Sequence, residues 1–327
     1  RVHAVEVGLG HAVPVEPLNR YTSITTHIIA GVSEASGVGY NWDTGTLFAI
    51  GDEGMALHEM SKTGQLLGSM AFDYNRTPRD ARALDDSEGV AYLGNNTFMI
   101  ADERRNQGAV TPYQEGAFRT LQDLAPTTYS FGPYDGNTGL EGVCYDPLDN
   151  AFWGVKESGP VRIYKLTGVS TGNPVSTQPI ATKYISRLQT ALDVTQASDI
   201  YALSACAAFA DSPRRPNLLI LSRQSNLIVE INRTGEIVDT VSIGSIGRNI
   251  IEGMVMDETG ILYFVSEGSA TEPVDSPRKN SALHVVMPPV PRFNVISHAC
   301  SFSGEEMTAT LTWDSIIGAS YQIEHSL

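Results

Sequence analysis

Three glutamates recur in one local setting: Glu88-Gly89-Val90, Glu141-Gly142-Val143 and Glu252-Gly253-Met254. Each stands at the threshold of a short apolar run. Two further runs carry serine in the matching place, Ser36 in Ala35-Ser36-Gly37-Val38 and Ser204 in Leu203-Ser204-Ala205-Cys206. Carboxylates crowded together raise one another's pKa, and burial adds a desolvation cost. A divalent cation relieves both. The matching positions hold neither His nor Cys, so the donors are hard oxygens. That donor set favours Ca²⁺, with Mg²⁺ or Mn²⁺ next and Zn²⁺ disfavoured. The expected metal set is therefore Glu88, Glu141, Glu252, Ser36 and Ser204. In the plainer alternative, each Glu caps turn amides, or an ion merely ties the chain together.

A second acidic set closes the apolar runs that follow: Asp52, Glu53, Asp102, Glu103, Glu157 and Glu267. Antiparallel pairing returns the end of a second strand to the start of the first, so these acids belong on the same face. Asp52, Asp102 and Glu103 are the candidate catalytic bases or nucleophiles; a solvated loop face is the simpler reading of the set. Arg104, Arg105, Lys156 and Arg223 lie among them, either as salt-bridge partners or as a grip for an anionic substrate. The histidines show no HExxH spacing, and His58 and His284 fall in third strands as ordinary sheet residues. No nucleophile elbow or phosphate loop is present.

These residues can meet only if the chain is a closed ring. The five short motifs are each followed by a turn and a second β-branched or aromatic run, as in Thr46–Ile50, Thr97–Ala101, Ala151–Val155, Asn217–Leu221 and Ile261–Val265. Taking 36, 88, 141, 204 and 252 as equivalent gives separations of 52, 53, 63 and 48 residues. A period near 50 fits a four-stranded propeller blade. The long interval holds an insertion around Asp211-Ser212-Pro213-Arg214-Arg215-Pro216. Third strands are expected at 55–60, 161–166, 227–232 and 282–287, and fourth strands at 65–72, 182–185 and 236–243.

The expected fold is thus an all-β, five-bladed propeller over residues 23–288, after an N-terminal extension at 1–22. The fifth blade lacks an outer strand, and Ser23–Ala30 has no blade of its own. The two shortages cancel if the N-terminal run closes the ring, which also removes the free edge. Beyond Pro288-Pro289-Val290-Pro291, residues 292–327 are expected to start a truncated β-sandwich-like module or extension. Its two strands are read at Thr308–Trp313 and Ser320–Glu324.

The ordered set of motifs resembles the SdiA-regulated family, a bacterial group distantly related to the NHL-repeat propellers. The carrying residues are Ala35–Val38, Thr44–Glu53, Glu88–Tyr92, Ala101–Arg104, Gly139–Val143, Leu219–Ser222 and Glu252–Met254. The resemblance spans about residues 24–287 and implies a five-bladed propeller with a calcium site and no defined activity. Related six-bladed propellers include metal-dependent lactonases and phosphotriesterases, in which a metal-binding Glu starts an innermost strand. Carried over, this marks Glu88, Glu141 and Glu252, while Ser36 and Ser204 depart from it. Glu34 and Asp199 lie nearby, out of register.

The chain has 327 residues, of which 37 are acidic and 22 are Lys or Arg, for a net charge of −15. Such an acidic surface excludes nucleic acid and an anionic membrane surface as natural partners. No run is apolar and long enough for membrane insertion. Cys144, Cys206 and Cys300 are too scattered for a metal site, and the first two sit in apolar runs as core residues. The start at Arg1 is read as a processed chain, so an extracellular or periplasmic, secreted protein is expected. Two functions compete. One is a metal-dependent hydrolase of a lactone, ester or phosphotriester. The other is a non-catalytic extracytoplasmic binding module with a structural calcium site. The partner is a small-molecule substrate or an extracellular ligand, respectively.

Overall fold

The computed structural model describes residues 18–21, 23–52, 55–158, 161–169, 180–184, 196–244, 246, 251–268, 280–288, 295–303 and 306–313. Strand β1 (Ser23–Ile28) comes first. Blade one follows with β2 (Ala35–Asn41), β3 (Thr46–Gly51), β4 (Ala56–Met60) and β5 (Leu66–Phe72). Blade two holds β6 (Ser87–Gly94), β7 (Thr97–Asp102) and β8 (Gln107–Pro112). The two-residue β9 (Phe118–Arg119) crosses over to pair with β5, and β10 (Thr128–Ser130) completes blade two. Blade three is β11 (Leu140–Asp146), β12 (Ala151–Lys156), β13 (Arg162–Thr167) and β14 (Ile180–Tyr184). Blade four is β15 (Asp199–Ala202), β16 (Leu218–Ser222), β17 (Leu227–Ile231) and β18 (Ile237–Ser242). Blade five is β19 (Ile251–Met256), β20 (Leu262–Ser266) and β21 (Ala282–Met287), with β1 as its outer strand.

The protein is a five-bladed β-propeller, and its ring closes through the N-terminal strand. β1 runs antiparallel to β21 from Ser23↔Met287 to Ile28↔Ala282. His284 ties three strands together there: Nδ1 shares a hydrogen bond with Thr26 Oγ1 at 3.0 Å and Nε2 shares one with Ser266 Oγ at 3.0 Å. Burial lowers its pKa to about 4, so the imidazole stays neutral, one nitrogen donating and the other accepting.

The hydrophobic core lies in the seams between blades. Phe48, Phe98 and Tyr113 fill the seam of blades one and two. Phe131, Phe152 and Tyr164 serve blades two and three, and Trp153, Ile200 and Val229 blades three and four. At the far end of the axis Tyr40 donates to Glu258 of blade five, and Tyr92 to Asp43 of blade one. Cys144 and Cys206 are buried and unbridged, as expected of core residues.

Blade four departs from the sequence reading. Leu203–Ala205 forms a 3₁₀ turn, not a strand, and the inner strand lies earlier, at β15. The tail differs as well. Thr308–Trp313 lies within β23 (Glu306–Trp313), which pairs with an upstream strand, β22 (Val295–Ser303), in a sheet of its own. The expected partner Ser320–Glu324 is outside the described residues. Among the described residues no helix is long and apolar enough to cross a membrane.

Near the axis the inner strands approach so closely that side chains are excluded. A Cβ on Gly37 would lie 2.5 Å from Glu88 O, and one on Gly253 would lie 2.7 Å from Ser36 O. On Gly89 it would meet Val143 N at 2.8 Å, Glu141 O at 2.9 Å and Gly142 Cα at 3.0 Å. Because those neighbours are backbone, Gly89→Ala must push blades two and three apart. It is expected to lose about 1–3 kcal/mol in denaturant unfolding, the usual scale for overpacking. An unchanged unfolding midpoint would contradict this account of the seam.

Candidate functional site

Each mouth glutamate is produced by a flaw in pairing. In β11, Leu140 faces Lys156 and Gly142 faces Val155, which leaves Glu141 as an extra residue. In β19, Ile251 faces Ser266 and Gly253 faces Val265, leaving Glu252. The register shifts in the same way at Ser36 in β2 and at Glu88-Gly89 in β6. Bulges of this kind re-aim a side chain and stop the ladder. Here they turn acidic residues from different blades toward one another.

The register of blade four shows which residues match. Asp199 faces Leu221 as Gly142 faces Val155 and Gly253 faces Val265. Asp199 thus stands in the glycine position, and Ser198 stands where the other blades have Ser36, Glu88, Glu141 and Glu252. The inner ring is Ser36, Glu88, Glu141, Ser198 and Glu252, with separations of 52, 53, 57 and 54 residues. Ser204 is not part of it. It sits past the far end of β15, where its Oγ donates to Asp146 Oδ1. Asp199 accepts from Met254 N of blade five at 2.7 Å and from Ile200 N at 2.8 Å, bonding that joins blades four and five.

A second ring follows from the strand ends. The residue two beyond Ile50, Ala101, Val155, Leu221 and Val265 is Asp52, Glu103, Glu157, Arg223 and Glu267. Four blades supply an acid and blade four supplies an arginine. Asp102 points elsewhere. It is fully buried and accepts from Arg105 Nη1 at 2.9 Å and Asp85 N at 3.2 Å, which makes it a brace for the 79–86 loop rather than a free base. Glu53 is outside the described residues.

The two rings meet most closely at the seam of blades two and three. Oxygens of Glu103, Glu141 and Glu157 lie within 4.8 Å of one another, and all three residues are buried. Oxygens of Asp86, Glu88 and Glu103 form a second set of the same dimensions, so Glu103 belongs to both. Asp86 was not anticipated from sequence. It adopts a left-handed φ of 78° just before β6, and its carbonyl accepts from Glu103 N at 2.8 Å. The acidic pair Asp85-Asp86 ahead of Ser87-Glu88 was the available signal.

Cations are few. Arg104 reaches Asp86 at 2.6 Å, and Lys156 is held by Asp135 and Thr138 on the neighbouring loop. Arg223 spans the blade-four side: Nη1 lies 2.5 Å from Glu252 Oε1 and Nη2 lies 2.9 Å from Glu157 Oε1. Buried oxygens are left without partners, namely Glu252 Oε2, Ser198 Oγ and Asp52 Oδ1. Buried polar atoms are rarely orphaned unless something else binds them.

The carboxyl groups respond accordingly. Burial, then repulsion from Glu103 and Glu252, raises Glu88 well above the usual range; burial, then Glu88 and Glu103, does the same to Glu141. Burial pushes Glu252 up to about 8 despite Arg223. Burial, then Glu34 and Asp86, pushes Asp52 up to about 7. The donors are all oxygen, as a hard divalent cation requires.

Folded-state pKa values above those of the unfolded chain mean that the folded protein holds extra protons. The associated stability is complete below about pH 4, the unfolded carboxyl value, and is lost as pH rises toward 8. In EDTA, the melting temperature is therefore expected to fall between pH 5 and pH 8. Glu141→Gln, which removes one charge from the cluster without changing its shape, should flatten that decline and melt several degrees higher than wild type at pH 8. A variant that melts lower at pH 8 would refute the repulsion.

Several solved structures are similar to this chain. Streptogramin B lyase is 15% identical, with 74% of this chain aligned and a TM-score of 0.41; the chain spans 65% of the length of that protein. Luciferin-regenerating enzyme is 12% identical over 81% of this chain and 95% of its own, with a TM-score of 0.45. Virginiamycin B lyase from Staphylococcus aureus is 14% identical over 74% of this chain and 67% of its own, with a TM-score of 0.41. No mouth residue is assigned from these likenesses. The sequence profile of the SdiA-regulated family matches residues 17–270, which covers all of the inner ring and places the chain in the SdiA-regulated family.

Proposed function

We propose that the mouth binds a hard divalent cation, Ca²⁺ before Mg²⁺ or Mn²⁺, and that the protein is a metal-dependent hydrolase of a lactone, ester or phosphoester. The observation that carries the reading is the convergence of Glu103, Glu141 and Glu157, three buried carboxylates within 4.8 Å of one another. Glu88 adjoins them through Glu103. Arg223 pairs with Glu157, so protons or a further cation must neutralise the others, and the unpartnered buried oxygens of the mouth suit the second. When bound there, the cation would supply Lewis acidity to a carbonyl or phosphoryl oxygen.

The chain's own residues supply the rest. Asp52 is half-buried, its Oδ1 is unpartnered, and its pKa near 7 suits a group that accepts a proton from water at neutral pH. Of the three acids expected to act as base or nucleophile, it is the one best placed: Asp102 is committed to Arg105, and Glu103 to the carboxylate cluster.

A second reading rests on where the cluster sits. Asp86, Glu88 and Glu103 come from blade two and its approach, and Glu141 and Glu157 from blade three. An ion there would also staple the seam, as suits a non-catalytic extracytoplasmic binding module. The two readings separate in one set of assays. Turnover of a lactone, an aryl ester and a phosphotriester is measured with Ca²⁺ and with EDTA. Hydrolysis is expected to vanish in EDTA and return with Ca²⁺. Asp52→Asn should lower kcat by about 10²-fold or more, the usual contribution of a general base, while the Ca²⁺-dependent rise in Tm stays intact. A protein that Ca²⁺ stabilises but that turns over none of the three substrates would leave the structural reading standing alone.

A further inference from the structure

Blade four breaks the pattern of the mouth twice. Its inner-ring position is Ser198 in place of an acid, and its outer-ring position is Arg223 where the other blades have Asp52, Glu103, Glu157 and Glu267. The guanidinium does not face solvent alone. Its fork spans Glu157 from blade three and Glu252 from blade five, at 2.9 and 2.5 Å, and so bridges the gap that blade four leaves. Both partners are buried, Glu157 at 5% and Glu252 at 3% exposure. Two unpartnered oxygens lie on this same side, Glu252 Oε2 and Ser198 Oγ, each on a residue 3% exposed.

Those oxygens, together with Glu157, are a second set of hard donors. Arg223 touches both this set and that of Glu103, Glu141 and Glu157 through Glu157, which they share, but its shorter contact, 2.5 Å, is to Glu252, which belongs to this set alone. A guanidinium is always protonated, and its planar fork matches two carboxylates at once. It therefore cannot give way to pH as a lysine or histidine would. A divalent ion approaching Glu252 meets like-charge repulsion in a partly desolvated site, where such repulsion is only weakly screened.

We propose that Arg223 is a built-in counter-ion that fills the blade-four side of the mouth and so confines the protein to one divalent cation, on the side of blades two and three. This rests on the cation reading given above. It adds that blade four holds a latent second site, formed by Glu252, Ser198 and Glu157 and silenced by the arginine.

The test is calcium stoichiometry in the full chain. Wild type, Arg223→Gln and Arg223→Lys are stripped with EDTA, dialysed, and titrated with Ca²⁺ by calorimetry, with Ca²⁺-dependent melting as a second readout. Wild type should take one ion. Arg223→Gln should take two, or bind one at least about tenfold more tightly, because a neighbouring positive charge is gone. Arg223→Lys keeps the charge and should behave as wild type. Adding Glu252→Gln to Arg223→Gln should return the count to one. Removing Arg223 also leaves two buried acids without their counter-charge; if Arg223→Gln is isolated unfolded, refolding on Ca²⁺ addition with two ions bound supports the proposal, and failure to refold at saturating Ca²⁺ overturns it. A folded Arg223→Gln that binds one ion with wild-type affinity overturns it too. Wild type that binds no ion at all is a different failure, that of the cation reading itself.

Discussion

The mouth depends on how closely the inner strands pack. Where Gly37, Gly89, Gly142 and Gly253 stand, a Cβ would strike the backbone or carboxylate of the next blade at 2.4–2.8 Å. The blades can converge this far only because those positions carry no side chain, and the convergence shortens the distance across the axis. The residue before each glycine is bulged out of its ladder at the same level. Glycine and acid therefore act as a pair: one brings the strands together and the other is thrust into the space they enclose. Without the tight seam, the same glutamates would be separate, solvated strand ends with ordinary pKa values.

Blade four shows what is needed to break this rule. Asp199 occupies the glycine position and survives there because its carboxylate becomes part of the seam, accepting the Met254 and Ile200 amides. Burial still raises its pKa well above normal, against the pull of those two bonds. A side chain at this position thus replaces close backbone contact with hydrogen bonds to the next blade. The exchange also explains why no acid projects from Ser198. A carboxylate beside Asp199, with Glu252 next to it, would leave a third buried charge with only Arg223 to balance it.

Much of this was legible in the sequence, and the exceptions are informative. Five repeats, their strand pairs and closure by Ser23–Ala30 followed from β-branched runs punctuated by turns, because a strand's period and a hairpin's turn are local properties. Ser36, Glu88, Glu141 and Glu252 were legible as equivalent because Gly follows each of them. Ser204 was misplaced because Leu203-Ser204-Ala205-Cys206 copies the motif's polarity without its strand. The true start, Ser198-Asp199, lacks the glycine that marked the others, and β15 has only four residues. The role of Arg223 was invisible for a different reason. It depends on contacts between blades, and no spacing along the chain encodes which blade an arginine will face. The β22–β23 pairing was missed because an alternating run such as Thr308–Trp313 can pair with a neighbour on either side of it in the chain.

The mouth is best understood as a place where protons and a cation compete. With Asp52 near 7 and Glu252 near 8, and with burial and mutual repulsion holding Glu88 and Glu141 well above the usual carboxyl range, the ion-free cluster keeps protons at neutral pH. A cation entering it must displace them, so binding and deprotonation are one event. That coupling bears on chemistry as well as affinity. Asp52 lies within electrostatic reach of Asp86 and Glu88, so neutralising the cluster lowers the repulsion that holds its proton in place. The group that would take a proton from water thus becomes able to do so when the neighbouring charge has been balanced, and the same carboxylates set both the affinity of the mouth and the readiness of its base.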